Sequence, residues 1–269
     1  MTTTDPPPMT ITLGYDLPFR ASAFTTADEL LRIRVCCKAG TRQRSLLQIQ
    51  THVAIFLEAA LFGMGAGTRV PPRLDARELE DVLQVTTHGS LHEEVVLEAP
   101  LVVDPSYVTV LLHKLLGLSD VVAIEDVTVE LPELATTREP IPIERGDTSV
   151  LPQIHPPLPF VLEDERSGHA DGCTLTLLYE KAPDERMLEV LREGLRTFVA
   201  QAMQGGFISP PMGPDDYFVS ADDDVIAQDD HVIWTLESSD FAPDGLCGLL
   251  NFLAAYHHQV ARLREVSLE

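Results

Sequence analysis

The chain has 269 residues, 45% of them hydrophobic, so it can bury either one large core or two smaller ones. Its 42 acidic and 19 basic residues give a net charge of −23, which repels a phosphate backbone and argues against nucleic-acid binding. No apolar run approaches the roughly 18 residues that a membrane span needs, and the N-terminus lacks the features of a signal peptide. We therefore expect an acidic cytoplasmic protein that binds neither nucleic acid nor a membrane.

Motifs for metal, cofactor or nucleophilic chemistry are absent from the sequence. It contains no HExxH, GxSxG or CxxC pattern, and "GMGAGTR" lacks the GKS/T ending of a phosphate-binding loop. We expect no cofactor, no metal and reduced thiols at the four cysteines, which are Cys36, Cys37, Cys173 and Cys247.

The first folded unit is predicted to span residues 28–132, after an N-terminal tail, 1–27, in which "MTITLGY" is compatible with an edge strand. Alternating apolar residues predict a strand at 31–37, and a helical stripe follows that ends at Gly63. A short helix at 75–83, a hairpin at 83–99, a second helix and a closing strand at 122–130 complete the unit. The predicted order is strand, helix, two strands, helix, strand.

A proline-rich linker is predicted at residues 133–170. Seven prolines between 132 and 170 exclude a helix or a central strand there. The segment "LPFVLEDE" at 158–165 is nevertheless compatible with an edge strand ahead of the second unit.

The second unit, residues 171–269, repeats the pattern of the first. Adding 142 to each residue number maps the first strand and helix stripe onto apolar residues, and maps Gly63 onto Gly205. The offset falls to about 139 at the hairpin and 138 at the last helix, as loop changes of a few residues would cause. We therefore predict an α+β fold made by tandem duplication of a ferredoxin-like βαββαβ unit, a pseudo-twofold dimer within one chain. The two sheets either stack face to face or join edge to edge.

Each predicted sheet leaves one face free of helices. If alternate residues of 31–37 face the helices, then Arg32, Arg34 and Cys36 lie on the open face. The hairpin strands place His92 and His231 on the open faces at equivalent positions. In both closing strands the apolar residues are three apart, Ile124 to Val127 and Leu263 to Val266, which predicts a shared bulge.

The first functional hypothesis is a non-catalytic binding or assembly subunit that docks a protein partner or a second copy of itself. Residues 171–269 hold 18 acidic and six basic residues, whereas 1–132 hold 17 and ten, so the second half is the more acidic. Residues 215–230 contain seven aspartates and no Lys or Arg. The predicted partner-binding residues are Asp222, Asp223, Asp224, Asp229 and Asp230.

The alternative hypothesis is a cofactor-independent isomerase or cyclase of specialised metabolism. It places an apolar small-molecule site between the two units, with a histidine acting as acid or base. The predicted catalytic residues under this alternative are His92, His231, Arg32 and Arg34.

Overall fold

The computed structural model of the chain describes residues 9–67, 86–89, 93–132, 138–146, 158–165, 173–207, 219–221, 225–238 and 243–269. These residues form a mixed α+β structure with four α-helices and three β-sheets. The predicted helix at 75–83, and most of the turn between the predicted hairpin strands of the first unit, lie outside the described residues.

The described residues of the first half and of the segment after it form eight strands and two helices. In chain order they are β1 (Ile11–Leu13), β2 (Arg20–Thr26), β3 (Leu31–Cys37), α1 (Gln43–Leu61), β4 (Thr86–Gly89), β5 (Glu94–Ala99), α2 (Val108–Ser119), β6 (Ile124–Pro132), β7 (Glu139–Ile141) and β8 (Ile143–Arg145). A 3-10 turn, Pro105–Tyr107, leads directly into α2.

From residue 158 onwards, the described residues form six strands and two helices. They are β9 (Val161–Asp164), β10 (Cys173–Tyr179), α3 (Glu185–Met203), β11 (Val219–Ala221), β12 (Ile226–Gln228), β13 (His231–Ser238), α4 (Pro243–Gln259) and β14 (Leu263–Leu268).

The two large sheets have the same strand connections. The first has the order β4-β5-β3-β6-β2-β7, and the second has β11-β13-β10-β14-β9, with β12 also paired to β13. In the first sheet β2 runs parallel to the closing strand β6, and in the second sheet β9 runs parallel to the closing strand β14. The other pairs within these sheets are antiparallel, including β7 with β2.

The strand before the first unit differs from the prediction. β2 is the strand that joins the first sheet, whereas the predicted edge strand at 9–15 contains β1, which pairs in parallel with β8 as a separate two-stranded sheet. The polar composition of β2, "RASAFTT", hides the alternation that would have identified it. The predicted edge strand at 158–165 is present as β9.

Both central strands present one face to the helices. Leu31, Ile33 and Val35 are fully buried, and on β10 Leu175, Leu177 and Tyr179 are at most 1% exposed. The alternate residues Arg32, Arg34 and Cys36 lie on the other face, as predicted. We call the face of each large sheet that points away from the described helices its outward face.

The closing strands contain a register shift at matching places. Cys36 pairs with Asp126 and Cys37 with Ile124, so Glu125 is bulged out of the pairing. Leu178 pairs with Glu265 and Tyr179 with Leu263, which bulges Arg264 in the same way. The three-residue spacing of the apolar positions thus predicted both bulges.

The helices of the two halves pack against each other between the two sheets. Helix α1 contacts α3, Phe62 after α1 contacts Phe252 of α4 with ring centroids 5.9 Å apart, and Gly206 after α3 lies against Val110 of α2. Residues 108–115 of α2 are all buried, as expected for a helix covered on several sides. The layers are therefore sheet, helices, helices, sheet. The two sheets are therefore neither stacked face to face nor joined edge to edge, which are the two arrangements expected from the sequence.

The glycines after α1 and α3 end the helices in left-handed conformation. Gly63 has φ +83° and Gly205 has φ +75°, and their N–H groups donate to Ala60 and Ala202. The sequence predicted both helix ends.

Substituting Gly63 with alanine is expected to lower the free energy of unfolding by about 2 kcal/mol. The new Cβ would lie 2.8 Å from Cβ of Ala255 in α4, in a conformation with φ +83° that side chains disfavour. Urea denaturation of the wild type, of G63A and of the control variant G117A measures these free energies of unfolding. Gly117 has no heavy atom within 4 Å of a built Cβ, so G117A should stabilise by about 0.5–1 kcal/mol. Equal effects of the two substitutions would contradict the packing of Gly63 between the halves.

Candidate functional site

The outward face of the first sheet is crossed by ion pairs centred on Arg32. Its Nε donates to Glu98 on β5, its Nη1 donates to Oε2 of Glu130 on β6 at 3.0 Å, and Asp28 lies 3.7 Å away. The hydrogen bond that Arg32 donates to Glu98 raises the pKa of Arg32, so the guanidinium stays charged. Arg32 thus has two carboxylates from the neighbouring strands as partners.

The other arginines of this face are paired as well. Arg34 lies 3.0 Å from Glu94, and Arg20 lies 3.5 Å from Asp126. Arg138 lies 2.9 Å from Glu130, and its guanidinium lies over the ring of Phe24, 4.0 Å from the centroid. Each such exposed pair contributes little stability, about 0–1 kcal/mol. Arg20, Arg32, Arg34 and Arg138 are nevertheless each paired with a carboxylate of the same chain.

The two adjacent thiols at the end of β3 are unsuited to nucleophilic chemistry. Burial and the nearby Glu94 and Asp126 raise the pKa of Cys36, and burial raises the pKa of Cys37 to about 11. Since the thiolate is the reactive form, both cysteines are unreactive near neutral pH.

The outward face of the second sheet has different residues at the matching positions. Thr174, Thr176 and Leu178 on β10 occupy the positions that Arg32, Arg34 and Cys36 occupy on β3. Their cross-strand neighbours on β13 are Thr235, Ile233 and His231, where the first sheet has Glu98, Val96 and Glu94. The two arginines and both of these glutamates are therefore replaced.

The carboxylates of the closing strand are retained on the second sheet. Glu265 and Glu269 stand where Asp126 and Glu130 stand in the first half, beside Leu178 and Thr174 of β10. Within the described part of the chain, no arginine or lysine forms an ion pair with either glutamate. The acidic charge of this face is therefore not neutralised locally.

Two exposed apolar side chains border the same face. Val161 on β9 pairs with Glu265 and is 57% exposed, and Ile226 on β12 pairs with Ile233 and is 52% exposed. Paired residues of neighbouring strands share a face, so both belong to the outward face. We define the second outward face by these ten residues: Val161, Thr174, Thr176, Leu178, Ile226, Ile233, Thr235, Glu265, Ser267 and Glu269.

The predicted equivalence of His92 and His231 is wrong by two residues. Because Cys36 pairs with Glu94 and Leu178 pairs with His231, Glu94 is the residue that corresponds to His231. The prediction matched the two hairpin strands by the residue types they share. Strand pairing instead follows the inward-facing apolar positions, which shifts the correspondence by two residues. His92 itself lies outside the described residues.

The described candidates for catalysis do not converge. His231 begins β13 of the second sheet, is 51% exposed in its side chain, and has Nδ1 2.7 Å from Oδ1 of Asp230. Arg32 and Arg34 lie on the outward face of the first sheet, and the helix layers separate the two outward faces.

The predicted partner-binding aspartates are partly described. Asp229 is exposed, has φ 53°, and forms the turn between β12 and β13 together with Asp230, which contacts His231. Asp222, Asp223 and Asp224 lie outside the described residues. The described aspartates therefore lie at the end of β13 that starts with His231, beside the second outward face.

A buried polar cluster between the halves was not predicted. Lys114 of α2 is fully buried and its Nζ donates to Oε1 of Gln201 on α3 at 2.5 Å, while Nε2 of Gln201 donates to the Tyr107 hydroxyl at 3.4 Å. Burial holds the pKa of Lys114 well below its usual value and raises the pKa of nearby Glu58, which accepts a hydrogen bond from Thr197. A lysine inside the apolar sequence "VTVLLHKLLGL" was the available signal.

Neither a metal-binding cluster nor a membrane-spanning helix is present among the described residues. No group of three or more His, Cys, Asp or Glu side chains is arranged to hold a metal ion. None of the helices in the described part combines the length and apolar character that crossing a membrane requires.

Comparison with known proteins does not identify a family. No family model and no curated protein matches the chain. A solved structure described as a "predicted insulinase family protease from Yersinia pestis" is similar over 91% of this chain and 72% of that one, with 8% identity and a TM-score of 0.16. A TM-score this low carries no argument about fold or activity.

Proposed function

We propose that the chain consists of two copies of one ferredoxin-like βαββαβ unit, related by a pseudo-twofold axis through the helix layers. In support, the sheets share a strand order over five strands, a bulge in the closing strand and a left-handed glycine after the first helix of each half. The contact of α1 with α3 is one that such an axis relates to itself. The axis also relates the contact of Gly63, after α1, with Ala255 of α4 to the contact of Gly206, after α3, with Val110 of α2.

We further propose that the protein is a non-catalytic binding or assembly subunit of the cytoplasm, which docks a basic protein partner on the second outward face. The difference between the two outward faces carries this proposal. The first pairs its arginines with its own carboxylates, whereas the second has threonines at the arginine positions and keeps Glu265 and Glu269. A partner that supplies cations there would take the place of the missing arginines.

The composition of the second outward face suits a protein interface. Protein interfaces combine an apolar centre with a polar rim, and exposed charges are depleted from the centre. Here Leu178 and Ile233 are half-buried at the centre with threonines around them, while Val161 and Ile226 expose their side chains at either side. The acidic segment 215–230 belongs to the same half and adds to the attraction for a basic partner.

The enzyme alternative has less support. It requires His92, His231, Arg32 and Arg34 around one pocket, and the three that are described lie on two faces separated by the helices. No contact among the described residues favours an isomerase or a cyclase.

The double variant T174R/T176R is expected to weaken partner binding at least about a hundredfold. It places arginines at the positions they occupy on the first outward face, so they pair with the acids of the second face and repel basic side chains. Native mass spectrometry of the untagged chain purified from its host, and of the variant purified in the same way, measures the fraction of chain bound to a second polypeptide.

The matched control is R32T/R34T, which removes the arginines of the first outward face. This control should keep the partner and lose little stability, because both arginines are partly exposed. The proposal fails if T174R/T176R keeps the partner fully, or if R32T/R34T releases it.

A further inference from the structure

We propose that Lys114 and Gln201 form an intramolecular isopeptide bond, which joins the two halves of the chain covalently. The bond links Nζ of Lys114 on α2 to Cδ of Gln201 on α3, and ammonia is released. The two residues are 87 positions apart in the sequence, so the bond closes a long loop and keeps the halves together when the chain unfolds. This inference is independent of the proposed function, because it concerns the contact between the halves and not the outward faces.

The two side chains are already close to reactive distance. Nζ of Lys114 lies 2.5 Å from Oε1 of Gln201. Because a carbonyl bond is about 1.23 Å long, Nζ is at most about 3.7 Å from Cδ, the atom that it would attack. Reacting atoms in productive complexes are about 3–3.5 Å apart, so a small shift of either side chain is sufficient.

Burial supplies the nucleophile and protects the reacting groups. Lys114 and Gln201 are both fully buried. Burial also holds the pKa of Lys114 well below its usual value, so more of this side chain is the neutral amine at neutral pH. The neutral amine has a lone pair that can attack a carbonyl carbon, whereas an ammonium group has none. Since water is kept from the carboxamide, hydrolysis does not compete with this attack.

The reaction conserves atoms and charge. The lone pair of Nζ attacks Cδ of Gln201, and the π electrons of the carbonyl move to Oε1, which gives a tetrahedral intermediate. One proton passes from Nζ to Nε2. The bond between Cδ and Nε2 then breaks, its electron pair leaves with ammonia, and the carbonyl re-forms. The product is a secondary amide between the two side chains, and the step needs neither an oxidant nor a reductant.

Two neighbouring side chains are placed to assist. Glu58 of α1 interacts electrostatically with Lys114, and burial raises the pKa of its carboxyl group. A carboxyl group with a raised pKa can accept the proton from Nζ and pass it to Nε2. The hydroxyl of Tyr107 accepts a hydrogen bond from Nε2 of Gln201 at 3.4 Å. This contact holds the leaving nitrogen and keeps Oε1 directed towards Lys114.

Intact-mass spectrometry of the full-length wild-type protein tests this inference. We expect a mass about 17 Da below the mass calculated for the sequence, because one ammonia is lost. The reacted fraction should rise during several days of incubation at pH 8 and become the majority. Trypsin locates the bond, because it does not cleave after a lysine whose amine is acylated. The peptides 78–138 and 197–262 should therefore appear joined.

The matched control is K114R, which keeps a buried hydrogen-bond donor but has no nucleophilic amine. It should show the full calculated mass and no joined peptides. Wild-type protein incubated in urea is a second control that does not depend on how a variant folds. Its unreacted fraction should stay constant, because unfolding separates the two side chains.

The variant E58Q tests the proton transfer. Glutamine keeps the shape of Glu58 but cannot accept a proton, so the bond should form at least about tenfold more slowly than in the wild type. The time course of the mass change at pH 8 measures both rates. An equal rate in E58Q would contradict the role of Glu58.

The inference is overturned if the incubated wild-type protein keeps its full calculated mass and trypsin cleaves after Lys114 in all molecules. It is also overturned if K114R loses ammonia to the same extent as the wild type, because the modification would then lie elsewhere in the chain.

Discussion

Replacing Gln201 with leucine is expected to lower the free energy of unfolding by about 3 kcal/mol. The amino group of Lys114 is fully buried, and Oε1 of Gln201 accepts its hydrogen bond at 2.5 Å across the boundary between the halves. Removing the acceptor leaves this buried donor without its partner, so the free-energy cost of burying the amino group is no longer offset. Chemical denaturation at pH 7 measures the loss. Q48L, at an exposed position of α1, is the control and should change stability by no more than about 0.5 kcal/mol.

A double-mutant cycle makes this prediction specific. In Q201L/K114M the buried amino group and its acceptor are replaced together by apolar side chains of similar size, so much of the lost stability should return. We expect the double variant to be more stable than Q201L alone. If the effects of the two single substitutions on the free energy of unfolding simply add, Lys114 and Gln201 are not coupled. That result would contradict the contact between α2 and α3.

The stability of the protein is expected to fall as the pH is lowered from 6.5 towards 4. Burial lowers the pKa of His113 to about 4, despite a hydrogen bond with the backbone of Gly206, and its ring contacts Tyr15 with centroids 5.1 Å apart. In the unfolded chain the same histidine has a pKa near 6.5. Between these values the unfolded state binds more protons, so acid favours unfolding by up to about 3 kcal/mol for this residue.

The variant that tests this pH dependence is H113F, which keeps a ring but cannot be protonated. Free energies of unfolding measured at several pH values between 4 and 6.5 should depend less on pH in H113F than in the wild type. Some dependence will remain, because burial also lowers the pKa of His52 to about 4 and lowers that of His257. An unaltered slope in H113F would contradict the burial of His113.

The elements that were predicted are those whose pattern is local and strong. The alternation at 31–37 and at 173–179 predicts β3 and β10 with the observed inward faces, and the stripes that end at Gly63 and Gly205 predict α1 and α3. Strand period, helix period and left-handed glycines all depend on residues close together in sequence.

The features that were missed depend on contacts between distant segments. β2 contains few apolar residues and is defined by its pairing with β6, more than 100 residues away. The stacking of helices between the sheets is not encoded by a stripe, because residues 108–115 of α2 are all buried. The two-residue error at β13 arose because the sequence comparison matched identical His and Glu residues in the two hairpin strands. The register is set by the inward-facing apolar residues instead.

The candidate binding site was predicted only in outline. The sequence indicated which residues of β3 and β10 lie on the outward faces, and it indicated the more acidic half. The decisive contrast, arginines at 32 and 34 against threonines at 174 and 176, required the pairings that place Glu98, Glu130 and Glu94 beside the arginines. Charge counts alone do not show which acids are already paired within the chain.

The measurement that tests the proposed docking most directly is hydrogen–deuterium exchange of the native assembly against the isolated chain. If a basic partner docks on the second outward face, peptides that cover β9, β13 and β14 should exchange more slowly in the assembly, while those covering β3 and β5 should be unchanged. Protection confined to the first sheet, or no change in β9, β13 and β14 while a partner is bound, would contradict the proposal.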